Sequence, residues 1–168
     1  MLYTYYLIQE MRLSILALIC VVAMAGCMPS PYYQKDYSVP QNEWTYNFKP
    51  VFKFDISDTT VSYNLMFIVR HTNAYPFSNI WLNVYHKQPG DSSFTRTRVE
   101  VPLAEPSGKW LGRGMGEISE QRMLLDQLHL NRPGKYEMRL EQDMRINELP
   151  EILQVGLRLE KIPRKKTN

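Results

Sequence analysis

Cysteine is nearly missing from this chain: Cys20 and Cys27 are the only two in 168 residues. No thiol follows Cys27, which excludes a disulfide scaffold and a cysteine-based metal site in the body of the protein. Histidine is equally scarce. His71, His86 and His129 show no helical i,i+4 partnering and no H-E-x-x-H pattern, and His71 and His86 border alternating segments where surface imidazoles are expected. No apolar run reaches the roughly twenty residues that a membrane-spanning helix needs. Charge of one sign is also lacking. The net value is +3, with basic and acidic residues interleaved as in Arg139-Leu140-Glu141, so no nucleic-acid footprint is present. No G-x-S-x-G elbow occurs, and "GKWLGRGMGE" lacks the spacing of a phosphate loop. Its Gly112, Gly114 and Gly116 read as loop residues supplying positive φ, with Trp110 packed on the domain and a polar ligand site as the alternative. Carboxylate pairs such as Glu117 with Glu120 and Glu148 with Glu151 look like exposed charges. The expectation is a protein without catalytic residues, metal or cofactor.

What is present begins with an address. Arg12 precedes the apolar run "LSILALICVVAMA" of Leu13 to Ala25, and Gly26-Cys27 follows. A positive residue, a short hydrophobic stretch and small residues at the break make a secretory signal peptide over 1–26. Its ending, Met24-Ala25-Gly26-Cys27, resembles a bacterial lipobox, with Met24 where leucine is commonest. In that motif the cysteine sulfur takes a diacylglycerol, and several acyl chains at ~0.8 kcal/mol per buried CH₂ anchor stably where one is marginal. Cys27 is therefore the expected lipidation site, and Met11 is an alternative start to Met1 that leaves a compact leader. Residues 27–42, with Pro29, Pro31 and Pro40 and few aliphatics, read as an extended tether. Residues 163–168 read as a frayed basic tail.

Between these lies a domain over 43–162 with a period of two. Phe52, Phe54 and Ile56 alternate with Lys53 and Asp55, and Val61, Tyr63, Leu65, Phe67 and Val69 share one face. Ile80, Leu82 and Val84 oppose Trp81, Asn83 and Tyr85; Val99 to Leu103, Tyr136 to Leu140 and Val155 to Leu159 repeat the pattern. Turn residues separate them, as in Pro89-Gly90-Asp91 and Pro133-Gly134. Strands at this spacing with no intervening helices predict an all-β fold, an antiparallel β-sandwich of Ig-like or jelly-roll-like kind. At about 120 residues it is large enough to bury roughly two thirds of its surface. One helix is a candidate, Ser119 to Leu128, where Met123, Leu124 and Leu128 can share a face. Tyr136, just after a Pro-Gly turn, is placed as a tyrosine corner, and Asp58-Thr59-Thr60 as an Asp-started turn.

The oddest stretch is "HTNAYPFSNIWLNV", His71 to Val84, where Pro76 breaks the alternation. Proline cannot donate to a ladder and holds Tyr75 extended, so this is a connection between strands, with Asn73 and Asn79 bonding nearby backbone. Tyr75, Phe77, Asn79, Trp81 and Trp110 form the candidate binding surface: a protein partner would use exposed aromatics such as Trp81 and Tyr85, and a glycan the Trp110 loop and the Tyr75 to Asn79 corner.

With the lipobox, "DTTVSYNLMFIVRHTNAYPFSNIWLNV", "GKWLGRGMGEI" and "RPGKYEMRLEQDMR" in order, the chain resembles the GldH family of gliding-motility lipoproteins from Cys27 to about Glu160. The resemblance implies a Bacteroidetes envelope lipoprotein linked to the gliding machinery and its associated secretion system, with envelope proteins as partners. It supplies no catalytic residues. Met28, rather than aspartate, follows the cysteine, which favours an outer-membrane destination.

Overall fold

The structure is a computed structural model and describes residues 30–162; the signal segment, Cys27 and the basic tail lie outside them. The chain divides into Met1–Ser30 and Pro31–Asn168, and the second unit carries the fold. Its strands are β1 (Tyr33–Ser38), β2 (Glu43–Trp44), β3 (Val51–Ile56), β4 (Tyr63–Thr72), β5 (Asn79–Lys87), β6 (Thr95–Pro102), β7 (Arg113–Met115), β8 (Ile118–Leu128), β9 (Gly134–Gln142), β10 (Leu149–Pro150) and β11 (Ile152–Lys161). A five-stranded sheet runs β1-β11-β4-β8-β7, a four-stranded sheet runs β3-β9-β5-β6, and β10 pairs with β2 in a short ribbon. Every pairing is antiparallel, giving the all-β sandwich that the alternation predicts.

Alternation decides which residues enter the core, because successive side chains in a strand point to opposite faces. In β9, Tyr136, Met138 and Leu140 are buried while Lys135 is exposed. In β4, Tyr63, Leu65, Phe67 and Val69 are buried on one row, and β3 adds Phe52, Phe54 and Ile56. Rows from both sheets meet in a single hydrophobic cluster with Trp44, Ile80, Leu82 and Leu157. Burying each such side chain contributes about 1.5–3 kcal/mol. Gly134, at φ +120, permits the turn into β9, and the Tyr136 hydroxyl donates to the Arg132 carbonyl at 2.9 Å, the tyrosine corner expected there. Asp58 Oδ1 likewise accepts from the Thr60 N–H at 3.1 Å and closes its turn.

Four expectations are corrected. Residues 119–128 form no helix; they belong to β8, paired with β4 from Tyr63↔Leu128 to Thr72↔Ile118. The register shifts between Leu65↔Asp126 and Met66↔Leu124, so Leu125 is the extra residue of a β-bulge. Met123 and Leu125 pack on the core by alternation and the bulge carries that row on to Leu128, a spacing of three that imitates a helical face, while Leu124 stays 44% exposed. The tether is shorter than residues 27–42, because Tyr33–Ser38 is β1, registered on β11 from Tyr33↔Leu159 to Ser38↔Gln154. Tyrosines in and just before β1 reach the other sheet: Tyr37 donates to the Val51 carbonyl at 2.6 Å and Tyr32 to that of Asp55 at 2.8 Å. Tyr33 lays its ring 5.2 Å from Phe54, and burial pushes its hydroxyl up to about 12.

His71 is no surface imidazole; it ends the inward row of β4 and is fully buried. Gly112 is needed for space rather than for positive φ, since a Cβ there would lie 2.5 Å from the Glu120 carbonyl oxygen. Gly116, at φ +67, does fill the role expected of that loop.

Candidate functional site

The corner after β4 is an aromatic cluster closed by backbone contacts. The Thr72 hydroxyl donates to the Glu151 carboxylate at 2.5 Å and accepts from the Ala74 N–H at 3.1 Å, which fixes the start of the bend. The Asn73 N–H donates to the Glu117 carbonyl at 2.9 Å. Tyr75 is 3% exposed and its hydroxyl donates to the Asn79 carbonyl at 2.9 Å, spanning the turn that Pro76 forces. Burial raises the Tyr75 hydroxyl far above its ordinary value, so it stays a neutral donor. Trp110 sits edge-on to His71 at 4.5 Å, and Phe77 edge-on to Tyr75 at 5.7 Å. The His71 Nδ1–H donates to the Thr72 carbonyl at 2.9 Å, leaving Nε2 buried with no hydrogen-bond partner among the described residues. Tyr75 and Trp110 are thus held by the domain itself.

The outer face of the four-stranded sheet differs. The residues opposite the core row of β5 are Trp81, Asn83 and Tyr85, and arginines cover two of them. Arg98 of β6 lies 3.9 Å over the Trp81 ring, and Arg139 of β9 lies 4.3 Å over Tyr85. Such stacks contribute about 0.5–1 kcal/mol each at exposed sites. Arg98 is further held by Asp143 at 2.5 Å, Arg139 by Glu141 at 2.8 Å, and Asn79 donates to Glu100 at 2.5 Å.

Beside Trp81 a groove of about 460 Å³ has an apolar floor of Phe77, Trp81, Met144 and Ile146 and a rim of Arg98, Asp143 and Arg145. The loop after β9 that builds its far wall is pinned from below by Gln142, which is 4% exposed. Its amide nitrogen donates to the carbonyls of Ile146 at 3.0 Å and Asn147 at 3.1 Å, while its oxygen accepts the Met144 N–H at 2.8 Å. The Trp81 carbonyl accepts the Asp143 N–H at 2.7 Å, so the tryptophan is tied to the same loop. Arg145 is exposed and makes no ion pair among the described residues.

Of the residues expected from sequence, the groove therefore gathers Phe77 and Trp81, with Asn79 bordering through Glu100, while Tyr75 and Trp110 belong to the buried corner. Arg98, Met144 and Arg145 were not foreseen. Arg98 carried a signal, since it alternates outward with Arg96 and Glu100 in a strand-like run; Met144 and Arg145 carried none, being loop residues placed by the contacts of Gln142. A second cavity, of about 680 Å³, lies along β3 and β9 and mixes Lys53, Lys87 and Lys135 with Asp55, Asp91 and Glu137. Among the described residues no group of three or more His, Cys, Asp or Glu is placed to hold a metal ion.

Fold and surface together define a class: an antiparallel β-sandwich whose built surface is an arginine-capped aromatic face. The family model of the GldH lipoprotein matches residues 31–159, and the chain belongs to that family. Its curated relatives include a gliding motility lipoprotein GldH homolog of Christiangramia forsetii, 30% identical over 149 residues, covering 84% of this chain and 90% of that one. Another is the gliding motility lipoprotein GldH of Flavobacterium johnsoniae, 29% identical over 133 residues, covering 74% and 82%. Among solved structures, the tobacco streak virus coat protein dimer aligns at a TM-score of 0.26 with 11% identity, covering 83% of this chain and 97% of that one.

Proposed function

We propose that this chain is a non-enzymatic, lipid-anchored subunit of the cell envelope that docks a protein partner on the outer face of its four-stranded sheet. In this reading Cys27 carries the lipid, the destination is the outer membrane, and the partner belongs to the gliding or associated secretion machinery. The family and the names of its relatives support the setting. One observation carries the docking role: a half-buried Trp81 capped by Arg98 floors an apolar groove whose rim holds the uncompensated Arg145. Tryptophan and arginine around a desolvated pocket are the commonest anchors of protein interfaces. A glycan-binding module built on Tyr75 and Trp110 has less support, because Tyr75 is buried and the Trp110 ring packs against His71.

The test is allelic replacement in the native host. Cys27→Ser is expected to remove the lipid mass and shift the protein from the membrane fraction. Trp81→Ala combined with Arg145→Glu is expected to leave membrane fractionation and melting essentially intact while abolishing spreading or secretion. Wild-type behaviour of that double variant would place the working surface elsewhere.

A further inference from the structure

The sandwich has four sheet edges, and they are not treated alike. The edges of β1 and β3 face one another and are bridged by the Tyr32 and Tyr37 hydroxyls on β3 carbonyls. β7 spans only Arg113–Met115, and short edge strands resist pairing. β6 is different: it runs 8 residues, Thr95–Pro102, and among the described residues it pairs only with β5. In an antiparallel ladder alternate residues turn their N–H and C=O away from the partner strand, so the free side of β6 offers a row of unmet backbone groups.

Natural edges are commonly blunted by charged side chains or proline, which repel or cannot bond a second identical edge unless the charges are complementary. The outward row of β6 instead reads Arg96, Arg98, Glu100, set opposite Tyr85, Asn83 and Trp81 of β5. Read antiparallel about Arg98, this row is complementary to itself. We infer that the free edge of β6 joins two copies of this chain about a two-fold axis at Arg98, extending the four-stranded sheet across both. Arg96 of each copy then lies opposite the partner's Glu100. Arg96 makes no ion pair among the described residues, and Glu100 uses one carboxylate oxygen on Asn79, leaving the other for the arginine. Arg98 meets its own equivalent at the axis, but each guanidinium is already held by Asp143 and stacked on Trp81, so no bare like-charge pair arises. On the inner row exposed Thr97 meets the partner's Val99, which is half-buried in one copy and gains cover in two. Such a contact is isologous and closes at two copies. Arg98 is common to the axis and the groove rim, but Arg96 and Glu100 line no part of the groove, so variants at these two residues test the dimer separately from the docking role of Trp81.

The experiment is sedimentation equilibrium of the full chain in detergent over a concentration series, with wild type, Arg96→Glu and Glu100→Arg. Wild type is expected to dimerise. Each single change sets like charges opposite one another twice, and cross-strand like-charge pairs are unfavourable, so each variant should dimerise at least about tenfold more weakly. Mixing the two variants restores both attractive pairs, and a heterodimer of near wild-type strength should form. Melting of Arg96→Glu should match wild type, and Glu100→Arg should lose no more than its one exposed bond to Asn79. A wild-type chain that stays monomeric overturns the inference, as does dimerisation indifferent to the single changes. A mixture that fails to recover overturns the register.

Discussion

At the scale of single residues, His71 shows how one imidazole couples the corner to pH. It is fully buried beside Tyr75 and Trp110, and burial holds its pKa below the ordinary 6.5. The folded chain therefore binds a proton less readily than the unfolded one. That contribution to stability is whole above the unfolded value and is lost as pH falls through it and toward the lower folded one. The urea midpoint is expected to fall between about pH 8 and about pH 5, with His71→Phe flattening the slope; an unchanged slope in the variant would move the origin to other groups. The sequence held half of this. Alternation put residue 71 on the row of Tyr63 to Val69, but polarity argued for the surface, and the cover comes from Tyr75 beyond the bend and from the Trp110 loop arriving from far along the chain. Gln142 was hidden for a similar reason, since its role depends on carbonyls that the following loop brings back beneath it.

At the scale of elements, β1 and β8 resisted reading where β3, β4, β5 and β9 did not. The latter bury every second residue, and period two is visible without knowing the partner strand. β8 carries a bulge at Leu125 that breaks the period, and β1 puts tyrosines where aliphatics would have announced a strand. Tyr37 of β1 and Tyr32 just before it act through their hydroxyls. Tyr37→Phe and Tyr32→Phe each remove one bond to a β3 carbonyl, a loss of about 0.5–1.5 kcal/mol apiece. The two sites lie at opposite ends of β1, so the losses are expected to add in denaturant titrations of the double variant. Amide exchange should quicken first along β1; quickening confined to β5 and β6 would refute the bridging role.

At the scale of the whole molecule, the fold class was legible and its outline was not. The family match opens at residue 31, two residues before β1, which agrees with where the sheet starts. A chain cut to begin at Pro31 is expected to unfold cooperatively, whereas one beginning at Glu43 lacks β1 and bares the β11 row from Val155 to Leu159. That shorter chain should lose its near-ultraviolet dichroism and bind a hydrophobic dye; a sharp transition in it would show β1 to be dispensable. The early start of the fold also bears on load. Only Met28 to Tyr32 separate Cys27 from β1, a reach of at most about 18 Å at full extension. Under the proposed anchoring, tension between membrane and partner enters the body through β1 before any other strand. The register with β11 and the two tyrosine bridges then act as a mechanical fuse, and the strength of that clasp sets the force at which β1 peels from the sheet and lengthens the tether.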